Sequence, residues 1–189
     1  MITYSNPNFK DLDEITDLYL KTFSSDFEKL NFKLSKNQVK DVLKLYLLTD
    51  SNGFFIARDN QSSKIIGFMI SVTSMNKVWF TLLTKQIHKS LLFIFSKRAP
   101  LITPPYVSYW NLGHLPAEGI SVDYRGKGIA KELAIKAIDY LKSKGVKAVL
   151  FEALKENKAI INLYEKLGFK VVKEFSHRKF SWIILLKDL

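Results

Sequence analysis

Apolar residues recur along this chain with two different periods, and the changes from one period to the other mark out the elements. Leu12, Ile15, Leu18, Tyr19 and Phe23 recur at helical spacing, which gathers side chains on one face of a helix. A second amphipathic helix follows. Ser35 is placed to cap it, and Val39, Val42, Leu43, Tyr46 and Leu47 supply its buried stripe. Residues 2–4 read as a short strand ahead of both. After Asp50-Ser51-Asn52-Gly53, the run Phe54-Phe55-Ile56-Ala57 reads as a strand, the polar residues 59–63 as a turn, and residues 65–72 as the antiparallel partner.

The middle of the chain departs from this economy. Over residues 77–98, Trp79, Phe80, Leu82, Leu83, Ile87, Leu91, Ile94 and Phe95 form a wide apolar face broken by Lys85, Gln86, His88 and Lys89, which predicts a helix. Residues 99–116 hold Pro100, Pro104, Pro105 and Pro116 and predict an irregular connection. Beyond it the pattern predicts a strand (117–122), a loop, a helix (128–143) stopped at Gly145, and a strand (148–153). A helix (159–167) stopped at Gly168 follows, and strands 169–174 and 180–186 close the chain. The order implies one α/β domain over residues 1–189, with a mixed, mostly antiparallel sheet flanked by helices. One late parallel crossover and an inserted helical segment at about 74–114, before the central strand, complete that expectation.

Composition narrows the chemistry. The chain of 189 residues has no cysteine, so disulfides, thiolate nucleophiles and Cys-based zinc sites are excluded. His88, His114 and His177 have no metal-like spacing, so no metal is expected. No GxSxG elbow is present to support hydrolysis. Without a secretory pattern at Met1-Ile2-Thr3-Tyr4-Ser5, or an apolar run long enough to cross a bilayer, a cytoplasmic location is expected. A formal charge of +11 favours anionic partners without choosing among nucleic acid, membrane surface and polyphosphate.

One loop makes that choice sharper. Asp123-Tyr124-Arg125-Gly126-Lys127-Gly128-Ile129-Ala130-Lys131 lies between a predicted strand and an amphipathic helix. Glycines there let successive amides converge on an anion at the positive end of the helix, and Arg125 and Lys127 add counter-charge. The residues fit neither a Walker loop nor a dinucleotide fingerprint, since Lys131 stands where the latter's third glycine would be.

Downstream, Asn157-Lys158-Ala159-Ile160-Ile161-Asn162-Leu163-Tyr164-Glu165-Lys166-Leu167-Gly168-Phe169 provides a second signature. With both in place the chain resembles the GNAT superfamily of N-acetyltransferases. That family's loop pattern is met by Arg125, Gly128 and Ala130, and its later pattern by Asn157, Ala159, Leu163, Tyr164, Lys166, Gly168 and Phe169. The resemblance covers the C-terminal half closely and the N-terminal half by the order of elements. It implies transfer of an acetyl group from acetyl-CoA to a primary amine within a ternary complex. It also implies that the strand before the loop pairs its backbone with the pantetheine arm while amides from Gly126 to Lys131, Ile129 and Ala130 included, bind pyrophosphate. Asn157 belongs to the same cofactor set.

An amine is protonated at neutral pH and must lose a proton before it attacks a thioester, so a carboxylate near the sulfur end of the strand is wanted. Glu118 is that candidate, because alternation puts it on one face with the apolar Ile120 and Val122, where its pKa would rise. Either Ile120 or Val122 offers the amide that polarises the thioester carbonyl. Tyr164, at the edge of a stripe formed by Ile160, Leu163 and Leu167, is the candidate acid for the departing thiolate.

The acceptor is a small amine, an amino sugar or a protein amine, with Tyr19, Phe23, Trp79, Tyr106, Tyr109 and Trp110 as candidate lining. The rival reading is a non-catalytic module that binds CoA or RNA through the basic glycine loop. It has no use for Glu118 or Tyr164, and no aromatic platform interleaved with basic residues points to nucleic acid. Residues 77–98 are expected to act as a lid on the cleft; a membrane-surface contact and a homodimer through their apolar face are the other readings.

Overall fold

The architecture is taken from a computed structural model that describes residues 1–29, 34–85, 112–177 and 180–189. Strand β1 (Ile2–Ser5) leads through a short 3-10 turn into helix α1 (Leu12–Lys29), followed by α2 (Lys36–Thr49). Ser35 caps α2 as the sequence predicts: its hydroxyl accepts from the Gln38 N–H while the Gln38 side chain accepts from the Ser35 N–H, a reciprocal box. The hairpin β2 (Phe54–Asp59) and β3 (Ile65–Val72) follows, then α3 (Met75–Lys85). The expected helix over 77–98 is thus present to Lys85, and its remainder lies outside the described residues, as do most of the proline-rich connection and the candidate lining residues Tyr106, Tyr109 and Trp110.

The second half runs β4 (Gly113–Ile120), α4 (Ile129–Ser143), β5 (Ala148–Leu154), α5 (Lys158–Lys166), β6 (Lys170–His177) and β7 (Phe180–Asp188). The seven strands among the described residues form one sheet in the order β1-β2-β3-β4-β5-β7-β6, in which β4 and β5 pair in parallel.

Strands β2, β3 and β4 divide their residues between two helical layers, because successive side chains point to opposite faces. Phe54, Ile56, Phe68, Ile70 and Ala117 pack against Leu12, Ile15, Leu43 and Tyr46 of α1 and α2. Ala57, Met69, Leu115, Phe151 and Leu185 pack against Leu133, Ala137 and Leu141 of α4 and Ile161 and Tyr164 of α5. Each buried Leu, Ile, Phe or Met side chain among these contributes about 1.5–3 kcal/mol, so the sheet is held from both sides.

Two expectations are corrected here. The central strand begins at Gly113, four residues before the predicted 117, and ends at Ile120. Pro116 therefore lies inside it. From Ile70 to Val72 on β3 the partners run from Ala117 back to His114 on β4, so β4 carries one extra residue, a bulge that includes Pro116. A proline is accommodated where the ladder is already interrupted. Val122 falls in the 3-10 turn after the strand and is 68% exposed, so it does not share the face of Glu118 and Ile120.

Candidate active site

β4 and β5 are paired only over Gly113–Leu115 against Val149–Phe151. Beyond Leu115 the two strands part, and among the described residues the edge of β4 from Pro116 to Ile120 that faces β5 has no neighbouring strand. The Ser121 N–H donates to the Ile66 carbonyl on β3 at 2.8 Å. Alternate residues of a strand direct their amides the same way, so the N–H groups of Glu118 and Ile120 face the split. Of the two amides the sequence offers, Ile120 is therefore aimed at the gap, whereas Val122 lies in the turn below it.

At the mouth of the split stands the glycine loop. Gly126 (φ 75°) and Gly128 (φ 77°) are left-handed, a conformation that side chains resist, and a Cβ at either would meet nothing within 4 Å. The glycines are thus required by the backbone path, and the concave side of the loop is open. Gly128 is the N-cap of α4 and offers no side chain to it. The first bond of that helix runs from the Glu132 N–H to the Gly128 carbonyl at 3.1 Å, leaving the amides of Ile129, Ala130 and Lys131 without intrahelical acceptors. These amides sit at the positive end of the α4 dipole, a cradle that fits a pyrophosphate.

The loop's cations are tied down. Arg125 Nε donates to the Ile120 carbonyl at 3.4 Å, and Lys127 Nζ lies 4.6 Å from the centre of the Tyr124 ring. Tyr124 in turn donates to Asp59 Oδ2 on β2 at 2.9 Å, and the bond from Ser62, with those from Tyr124 and the Gln61 amide, holds the Asp59 carboxyl down at about 2. Ile129 is buried, so its side chain anchors the loop while only its amide faces the cradle. Lys131 is exposed beside it.

Deeper in the split the two candidate chemical groups meet. Tyr164 Oη donates to Glu118 Oε2 at 2.8 Å, joining residues 46 apart in sequence. Tyr164 is fully buried, stacked on Phe151 at 3.8 Å and edge-on to Phe169 at 5.0 Å. It occupies the buried face of α5 with Ile161, whereas Ile160, Leu163 and Leu167 are only partly buried; the expected stripe was one step out of phase. Burial pushes the Glu118 carboxyl up to about 7, against the lowering pull of the Tyr164 hydroxyl. Burial and the adjoining carboxylate both push Tyr164 well above its ordinary value. Tyr164 is therefore a neutral donor at physiological pH, and Glu118 is poised to exchange a proton.

Asn157 has a structural task. Its side chain accepts from the Ile160 N–H at 3.4 Å as the N-cap of α5, the helix that carries Tyr164. Sequence reasoning overlooked Phe151 and the Tyr124–Asp59 anchor. Phe151 reads as one more apolar strand residue, and nothing local links Tyr124 to a turn 65 residues away. No group of His, Asp and Glu residues among those described could hold a metal.

Comparison with known proteins agrees with this geometry. The chain is 27% identical to an uncharacterized N-acetyltransferase of Methanocaldococcus jannaschii over 99% of its own length and 67% of that protein's. It is 35% identical to N-alpha-acetyltransferase 30 of Schizosaccharomyces pombe over 30% of this chain and 38% of that one. Among solved structures, one from Pyrococcus horikoshii OT3 superposes with a TM-score of 0.69 at 23% identity, covering 100% of this chain and 99% of that one. The NatC complex bound to Gag peptide and CoA superposes at 0.65 with 21% identity, over 100% of this chain and 98% of the matched one. The model of the acetyltransferase (GNAT) family matches residues 12–169, and the chain belongs to that family, whose members transfer an acetyl group from acetyl-CoA to an amine.

Proposed function

We propose that the protein acetylates a primary amine by direct attack on acetyl-CoA seated in the split between β4 and β5, with Glu118 as base and Tyr164 as acid. The observation that carries this reading is the 2.8 Å bond between Tyr164 and a Glu118 whose carboxyl lies near 7. The edge amides of Glu118 and Ile120 pair with the pantetheine arm, and the Ile120 amide polarises the thioester carbonyl. Amides from Gly126 to Lys131 receive the pyrophosphate.

The ammonium first passes one proton through Glu118 to water; the neutral amine's lone pair then forms the new C–N bond, and the nitrogen gives its second proton to Glu118. As the C–S bond breaks, Tyr164 protonates the sulfur and regains a proton from Glu118 along their shared bond. The products are the amide and free CoA thiol, with both side chains restored. A tyrosine whose own pKa is raised is a weak acid by itself. Its coupling to a protonated Glu118 is what makes the transfer to sulfur favourable.

Two acceptor classes have support among the relatives: a protein or peptide α-amine, since three are named N-alpha-acetyltransferases, and a small amine, since four are named mycothiol acetyltransferases. The test is release of CoA thiol from acetyl-CoA in the presence of peptides with free N-termini, spermidine or glucosamine, with mass spectrometry of the product. Turnover with peptides and its loss in E118Q support the reading; a folded protein that binds no acetyl-CoA overturns it.

A further inference from the structure

Gly126 and Gly128 give the cradle its shape, yet open space around them means that packing does not hold that shape. Glycine loses more conformational freedom on ordering than any other residue. A loop built on two of them therefore binds weakly unless its ends are fixed beforehand. At the helical end the buried Ile129 side chain fixes it. At the other end β4 gives way to the 3-10 turn Val122–Tyr124, where Val122 is exposed and Tyr124 packs against the apolar cluster that contains Ile129 and Leu133.

The Tyr124 ring also carries the Lys127 ammonium at 4.6 Å, and its hydroxyl donates to Asp59 at 2.9 Å. Asp59 is placed by the turn between β2 and β3. Its carboxylate accepts from Ser62 Oγ at 2.8 Å and from the Gln61 N–H at 3.2 Å, and its N–H donates to the Lys64 carbonyl at 2.9 Å. Arg58 closes the same turn by donating to the Ser63 carbonyl at 2.6 Å, and it ties the turn to Asp11 ahead of α1 at 2.7 Å. The turn is thus held by bonds of its own, so the Tyr124–Asp59 bond fixes the loop rather than the turn. Arg125 adds a longer bond of 3.4 Å to the Ile120 carbonyl. With its carboxyl held down at about 2, Asp59 is ionised at neutral pH and the bond from Tyr124 is charge-assisted.

We propose that Tyr124 and Asp59 are positioning residues for the cofactor: their bond holds the glycine loop and Lys127 in the pyrophosphate-receiving arrangement before the ligand arrives. They act through the loop and not on the ligand. The inference rests on the reading that amides from Gly126 to Lys131 bind pyrophosphate, and it gives the β2–β3 turn a part in cofactor affinity.

The test uses the full chain and two probes, CoA and pantetheine, which share the thiol arm and differ in the pyrophosphate-linked nucleotide. CoA binding is measured by calorimetry, pantetheine binding by ligand-observed NMR, and stability by thermal unfolding. Y124F keeps the ring under Lys127 and removes the hydroxyl. It is expected to weaken CoA binding about two- to tenfold and to leave pantetheine binding unchanged. D59A should do the same, and the double variant should bind CoA no more weakly than either single, because both remove one bond. If D59A fails to fold, Y124F alone decides. Unchanged CoA affinity in Y124F, an equal loss for both probes, additive losses in the double variant, or a Y124F protein that does not fold would each overturn the inference. A lowered melting temperature with CoA affinity kept would make the bond structural only. The underlying reading fails separately, if the wild type binds no CoA or if valine at both Gly126 and Gly128 leaves CoA affinity intact.

Discussion

Glu118 on β4 and Glu152, the residue after Phe151 on β5, flank one gap from opposite faces, and their surroundings differ in one respect. Both are drawn out of water, and burial raises both carboxyls, to about 7 and about 8. Glu118 has a fixed donor in Tyr164, itself held between Phe151 and Phe169. Glu152 has an oxygen with no donor among the described residues. A satisfied buried acid is rigid and holds its geometry through turnover. The contrast separates a carboxylate held by an internal donor from one with an oxygen that no described residue answers.

The largest expected effect that tests this division is in the chemical step. E118Q should lower kcat by about 10²–10⁴ with little change in the KM for the acceptor. In the wild type, kcat/KM should fall as pH drops through about 7, because a carboxyl with a raised pKa is protonated, and useless as a base, below it. A pH profile flat from 5 to 8 would remove Glu118 from that role. Y164F should cost about a hundredfold in kcat, and less if the thiolate leaves without a proton.

Next in size is the cradle. Replacing Gly126 and Gly128 together by valine should weaken acetyl-CoA binding, measured by calorimetry, by about tenfold or more, equivalent to at least about 1.4 kcal/mol. The loss comes from forcing left-handed residues out of their conformation, since space around them is open.

Smaller again is a stability difference. Glu152 has a folded pKa above its ordinary 4.5, so its contribution to stability is fully present below about 4.5 and is lost as pH rises toward 8. The melting temperature of E152Q relative to wild type should therefore increase over that window, and a constant difference would deny that burial raises this carboxyl. Asn157→Ala should cost about 1 kcal/mol through the lost cap, seen as a small fall in melting temperature; a fall in acetyl-CoA affinity beside it would place Asn157 in the cofactor set as well.

Much of the fold could be read from the chain because helices and strands write their burial as a local period. Ser35, Gly145 and Gly168 also mark ends by caps that involve residues only a few positions away. The loop from Arg125 to Lys131 was legible for the same reason: an amide cradle at a helix start needs only glycines and their immediate neighbours. Glu118 stood out as a charge on an apolar strand face, and Glu152 carried the same signal within Ala148–Leu154, yet attracted no attention without a motif beside it.

The start of β4 was hidden because Pro116 argues locally for a loop, while a bulge opposite Ile70 and Val72 makes room for it. Tyr164 was expected at the edge of its helix and lies at the centre of the buried face, since which face is covered depends on what packs there. The sequence by itself determined the order of elements, the glycine loop ahead of α4 and the candidate reactive side chains, all of which depend on neighbours along the chain. Only the tertiary structure decided that β4 and β5 part after Leu115, that Tyr164 meets Glu118, and that Glu152 faces the other way. Each of those depends on strand register and packing between residues far apart in sequence, which no local period records.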